Sequence, residues 1–135
     1  MKHWLVKSEP IKYAWEKLVK DKRTVWDGVR NYQARNNLKE MKVGDEVLFY
    51  HSNEGMNVVG IAKVVREFYQ DPTTEDERWV SVDIAPLRPL KKAVSLETIK
   101  ATPMLENISL VRQGRLSVMP LVKEEFDKIL ELGEG

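Results

Sequence analysis

With 135 residues, 42% of them hydrophobic and 32% charged, the chain is sized for one globular domain able to bury its own core. It has no cysteine, which excludes a disulfide framework, a thiolate metal site and a cysteine nucleophile, and no apolar run approaches the roughly 18 residues of a membrane span. A net charge of +1 argues against coating nucleic acid by charge alone, yet residues 1–66 hold 13 Lys/Arg against 8 Asp/Glu while residues 67–135 hold 9 against 13, a split that can create one electropositive face.

The start, Met1 to Lys7, is too short and too charged for a secretory signal, so a cytoplasmic location is the default expectation. Trp4-Leu5-Val6 is an apolar run suited to a buried strand. Pro10 is tolerated in the first turn of a helix, and Ile11, Ala14, Trp15, Leu18 and Val19 follow as one apolar stripe. That spacing predicts a helix from Pro10 to the polar break at Asp21-Lys22-Arg23, with Trp15 in the core. Asp27-Gly28 reads as a turn. A second helix is predicted over 32–40, capped by Asn31 and packing Ala34, Leu38 and Met41. Glu46 to His51 and Val58 to Val65 read as two strands of a hairpin, and Gly60 inside the second predicts a bulge or the close approach of another backbone.

Asp71 to Glu77 is a polar loop. Beyond it, Val80, Val82 and Ile84 alternate with Trp79, Ser81 and Asp83, which predicts a half-exposed strand with a tryptophan on the face away from the core. Ser95 is the expected cap of a short helix over 96–101, and Thr102-Pro103 opens another irregular or helical stretch. Residues 116–119 read as a late strand, and 123–132 as a closing helix that buries Phe126, Ile129 and Leu130. Antiparallel strands interleaved with short helices, without regular strand–helix alternation, give an α+β class: a small twisted or barrel-like sheet with peripheral helices. No repeat, linker or low-complexity tract divides the chain, so residues 1–135 are read as one domain.

Catalytic patterns are missing. His3 and His51 lack ligand-spaced companions, and no nucleophile elbow, Walker loop or dinucleotide fingerprint occurs. Asp27, Asp83 and Glu9 could act as acids or bases, but a turn, a strand face and a helix start account for them. The expectation is a binding module with no cofactor, no metal and no catalytic residue. Two tryptophans stand out because neither lies on a helix stripe: Trp26 beside the Asp-Gly turn, and Trp79. Around them lie Lys7-Ser8-Glu9, Arg30-Asn31, Tyr50-His51-Ser52 and Arg115-Leu116-Ser117. Flat aromatic surfaces beside donors and acceptors suit a planar heterocycle, since stacking contributes roughly 1–3 kcal/mol per base and the polar edge then selects it. A base bound in this way is single-stranded or turned out of its duplex. For either tryptophan alone, ordinary packing is the commoner explanation.

Taken together, the segments WLVKSEP (4–10), WDGVRNYQARN (26–36), GDEVLFYHS (44–52), GIA (60–62), WVSVD (79–83) and RLSVMPL (115–121) resemble the EVE domain proteins, including the thymocyte nuclear protein type. The likeness runs in order along essentially the whole chain. It implies a PUA-like fold, a small mixed but mainly antiparallel β-barrel flanked by short helices, similar to YTH and ASCH domains. It also implies a pocket for a flipped, modified nucleobase, with modified cytosine in DNA favoured. On this resemblance Trp26 and Trp79 would be aromatic walls and Asn31 a base-edge or turn-fixing group. Lys7, Ser8, Glu9, Tyr50, His51 and Ser52 would line the pocket, and Arg30, Arg35, Arg115 and Ser117 would meet phosphate or backbone. The chain starts at the first strand, and its 71–77 loop is short where longer relatives have an insertion; both resemble a compact prokaryotic form. The implied partner is DNA or RNA carrying a modified base, bound by a monomer without membrane contact. The alternatives are an RNA-binding module linked to modified tRNA, a binder of a free nucleotide-like metabolite, or a small enzyme.

Overall fold

In the computed structural model, which describes residues 1–134, the first apolar run becomes strand β1 (His3–Ser8), with Trp4, Leu5 and Val6 at most 1% exposed. Its entry is tied down by one carboxylate. Asp45, 3% exposed, accepts hydrogen bonds from the Trp4 indole at 2.9 Å and from the Lys2 and Lys42 amides. Strands β2 (Thr24–Trp26), β3 (Glu46–His51), β4 (Asn57–Gln70), β5 (Val80–Ser95) and β6 (Val118–Leu121) join β1 in one sheet, ordered β2-β5-β4-β3-β1-β6. Only β1 and β3 run parallel, with Leu5 opposite Leu48; the other neighbours are antiparallel. The sheet is open, since β2 and β6 are its two edges and no ladder joins them among the described residues. A mixed α+β fold was expected and is present; the expected closure into a barrel is replaced by this open sheet.

Helix α1 (Trp15–Asp21) is shorter than its stripe predicts. Pro10 to Tyr13 form a turn, in which the Lys12 and Tyr13 amides bond the Glu9 carbonyl, so the helix starts at Trp15. Ile11 and Val19 are consequently exposed, while Trp15 and Leu18 are buried. Ala14 offers no side-chain cap; His51 Nε2 accepts the Trp15 amide hydrogen at 3.0 Å instead. Helix α2 (Tyr32–Glu40) follows its prediction: Asn31 Oδ1 accepts from the Ala34 amide at 2.9 Å, and Ala34, Leu38 and Met41 are fully buried. Asn37 fixes this helix to β6 by donating to the Val118 carbonyl at 2.7 Å. Helices α3 (Leu96–Lys100, capped by Ser95), α4 (Ser109–Arg112) and α5 (Lys123–Glu134) complete the fold, with a 3-10 turn at Pro103–Leu105.

The register slips where β4 meets β3 and β5 around Gly60, and a Cβ on Gly60 would stand 2.6 Å from the Trp15 ring. The bulge read from that glycine is present, while what approaches it is the Trp15 side chain and not another backbone. Strand β5 differs from expectation in two ways. It runs on through Pro86 and Pro89 to Ser95, because β2 flanks it only at residues 82–84. A proline that donates nothing is tolerated where one side of the strand has no ladder to complete. Its first residues, 80–84, are buried on both faces: Ser81 is fully buried, and Asp83, 5% exposed, is covered by Arg23 and Tyr69. The half-exposed reading of this strand is corrected accordingly. Among the described residues no helix is long and apolar enough to cross a membrane.

Candidate functional site

A groove of about 690 Å³ opens where the end of β1, strand β2 and the turn after it come together. From β1 and its continuation come Lys7, Ser8 and Glu9; from β2 and its continuation come Thr24 through Arg30. Lys12 and Tyr13 enter from the turn before α1, Ser52 from beyond β3, and Arg115 and Ser117 from the approach to β6. Backbone bonds draw these strand ends together: Ser52 N donates to the Ser8 carbonyl and Lys7 N to the Ser117 carbonyl, both at 2.9 Å.

Trp26 is the large flat residue of this groove. It is 8% exposed, pairs with Val82 of β5, and meets Phe49 edge-on at 5.6 Å and Tyr13 edge-on at 6.4 Å. Perpendicular contacts of this kind fix the plane of the indole, which is otherwise packed into the hydrophobic core at the floor of the groove. The turn that follows is pinned from below by Asp71, which is fully buried. Its Oδ2 accepts from the Gly28 amide at 2.8 Å and from Arg30 Nη1 at 2.9 Å, and its Oδ1 from the Thr73 amide at 2.7 Å. Burial would raise the Asp71 pKa, but the bonds from Thr73, Arg30 and Gly28 outweigh it and bring the carboxyl down to about 2. Gly28 sits at φ +75°, a conformation costly to residues with a Cβ. Asp71 thus holds the Asp27–Arg30 turn as an anion at neutral pH.

The groove carries four cations, Lys7, Lys12, Arg30 and Arg115, against two carboxylates, Glu9 and Asp27. Burial lowers the pKa of Lys7, whose ammonium donates to the Gly114 carbonyl at 2.7 Å. Asp27 is pushed upward, first by burial and then by the charge of Asp71. Glu9 accepts from Asn53 at 2.6 Å and pairs with Lys12 at 3.3 Å. No group of three or more His, Cys, Asp or Glu side chains suited to a metal occurs among the described residues.

Eight of the residues expected at the site line this groove: Trp26, Lys7, Ser8, Glu9, Ser52, Arg30, Arg115 and Ser117. Five do not. Asn31 spends its side chain on the α2 cap. Tyr50 is 2% exposed within β3, where burial raises its pKa. His51 serves as the acceptor for α1, with its pKa lowered by burial. Trp79 stacks on Tyr32, ring centres 5.2 Å apart, and Arg35 lies 5.0 Å over the other ring of that pair. Trp26 and Trp79 are therefore not two walls of one groove. Lys12, Tyr13, Thr24 and the support residue Asp71 also belong here without a signal in the sequence: Lys12 and Tyr13 stand in a stretch that reads as helix, Thr24 in no marked element, and Asp71 lies 43 positions from the glycine it holds. An aspartate opening a polar loop carries no local signal of burial.

The EVE domain family profile matches residues 2–132. The chain belongs to the EVE domain family. Thymocyte nuclear protein 1 of Gallus gallus is 38% identical, covering 98% of this chain and 69% of its own length, and that of Homo sapiens is 37% identical, covering 98% and 74%. Those alignments run over 166 positions against the 135 residues here, so these EVE relatives carry inserted residues. Among solved structures, Atu2648 of Agrobacterium tumefaciens superposes with a TM-score of 0.95 at 46% identity, covering 98% of this chain and 93% of that one. The human THYN1 protein, solved in complex with 5-methylcytosine containing DNA, gives 0.92 at 36% identity, covering 100% and 99%. A YTH domain from Zygosaccharomyces rouxii gives 0.63 at 15% identity over 99% and 87%, a likeness of fold alone.

Proposed function

We propose that this EVE domain is a non-catalytic reader of nucleic acid, which takes a single flipped, modified nucleobase into the groove beside Trp26. The observation that carries the reading is the setting of Trp26: an indole held by edge contacts, in a groove with serine hydroxyls, two carboxylates and four cations. Its face suits stacking, which contributes roughly 1–3 kcal/mol per base. Glu9 and Asp27 are acceptors of the kind that select the exocyclic amine of cytosine. Lys7, Lys12 and Arg115 suit the phosphates on either side of the extruded nucleotide. The human relative crystallised with 5-methylcytosine containing DNA supports modified cytosine in DNA as the first ligand to test. Residues 1–135 act as one unit in this reading, as a monomer, with the sheet ends around the groove as its recognition surface.

The test is a titration with short strands carrying 5-methylcytosine, N6-methyladenine or neither, in DNA and RNA form, repeated across salt concentrations. The expected outcome is preference for one modified strand by about ten-fold or more, persisting as salt rises. Equal affinity for all strands, falling together with a single salt slope, would leave only phosphate attraction and overturn the reading.

A further inference from the structure

Outside the groove, the first turn of α2 and the end of the 71–79 loop build a second aromatic surface. Tyr32 and Trp79 stack with ring centres 5.2 Å apart and planes inclined by 29°. Arg35 lies 5.0 Å over Tyr32, and Arg30 lies 5.6 Å from the Trp79 ring centre. Tyr32 is 52% exposed, and Trp79 is only partly buried. Neither ring fills the core: the pair is held from outside, with Arg78 donating to the Tyr32 hydroxyl at 3.1 Å and Arg35 to the Arg78 carbonyl at 3.4 Å. Arg30 also lines the groove, so one guanidinium connects the groove to this surface.

We infer that the Tyr32–Trp79 pair is a stacking platform for a second nucleotide of the strand whose neighbouring base enters the groove, so that the ligand spans at least two nucleotides. This rests on the groove being a base site. A free base or nucleoside has one ring system and could use only Trp26. Two aromatic surfaces joined by a shared arginine fit a polynucleotide, with an unpaired base on the outer pair. The charges favour stacking over broad attraction. Asp76 neutralises Arg78 at 2.6 Å, Asp71 holds Arg30, and Glu75 and Glu77 stand in the same loop. Arg35 bonds Asn36 and a backbone carbonyl and has no ion pair among the described residues, which leaves it for a phosphate.

The experiment compares a modified mononucleotide with single strands of two to six nucleotides carrying the same base, on the intact protein and on Trp79→Ala, Tyr32→Ala and Trp79→Phe. Stacking of one further base raises affinity by roughly five-fold to a hundred-fold. Wild type and Trp79→Phe are expected to show that gain with length, and the two alanine variants to lose most of it while binding the mononucleotide unchanged. Arg35→Ala is expected to lower the slope of log affinity against log salt by about one. A melting curve for each variant separates loss of the platform from loss of the fold. An undiminished length gain in folded Trp79→Ala would overturn the platform and leave the groove reading intact. A length gain that depends on Trp79, without preference for a modified base, would sustain the platform and overturn the reader.

Discussion

Asp71 shows how much of the site depends on a residue that no base would touch. It is buried without exposure, yet its pKa lies near 2, because four donors from the turn and from its own loop converge on it. Its folded pKa lies below the unfolded value of 3.8, so its contribution is fully present above about pH 4 and disappears as pH falls toward 2. A shift of nearly two units corresponds to about 2 kcal/mol. Asp71→Asn is therefore expected to lose about that much stability at pH 6, and to lose less than wild type when denaturant curves are repeated at pH 3. Parallel losses in both proteins would show that the carboxylate is not the anchor. At this scale the sequence was only partly legible. Trp26 was visible because an indole beside an Asp-Gly turn is unusual, but its partner in holding the turn is remote in the chain. Trp79 is equally visible, but the alternation of residues 79–84 reveals a face and not which ring lies beside it, and the structure stacks Trp79 on Tyr32.

Among the elements, those specified by neighbours in sequence follow their prediction, and those specified by distant partners depart from it. Helix α2 is local: a cap, a stripe and a terminus within ten residues. Asn31→Ala is expected to cost about 1 kcal/mol in thermal or denaturant unfolding, with the ratio of affinities for modified and plain strands unchanged. A collapse of that ratio in a folded variant would assign Asn31 a direct role at the base. Helix α1 starts later than its stripe because Pro10 is absorbed in a turn and His51, from β3, supplies the cap. The parallel pairing of β1 with β3 and the run of β5 past two prolines are likewise set by what lies alongside. Gly60 is the exception, a single residue whose lack of a side chain announced a distant contact. Gly60→Ala would place a methyl group 2.6 Å from the Trp15 ring, which packs edge-on against Phe49, itself the neighbour of Trp26. The expected cost is about 1–3 kcal/mol, with a changed Trp fluorescence spectrum; an unchanged spectrum and melting temperature would contradict the packing described here.

At the scale of the whole molecule, the nearly neutral charge and the groove's four cations belong to one design. A net charge of +1 offers little general attraction to nucleic acid, so on the proposed function most of the affinity is expected from what enters the groove. Several of the short segments that carry the family likeness meet in that groove: residues 7–9, 26–30, 52, 115 and 117 come together because the open sheet brings its strand ends together. The most direct measurement is an isotope-edited NOE experiment on the complex with the modified strand that binds tightest, its base labelled at the methyl group. The account predicts contacts from that methyl group to the Trp26 ring or to side chains beside it in the groove. Contacts confined to Trp79 and Tyr32, or to the neighbouring nucleotides alone, would contradict it.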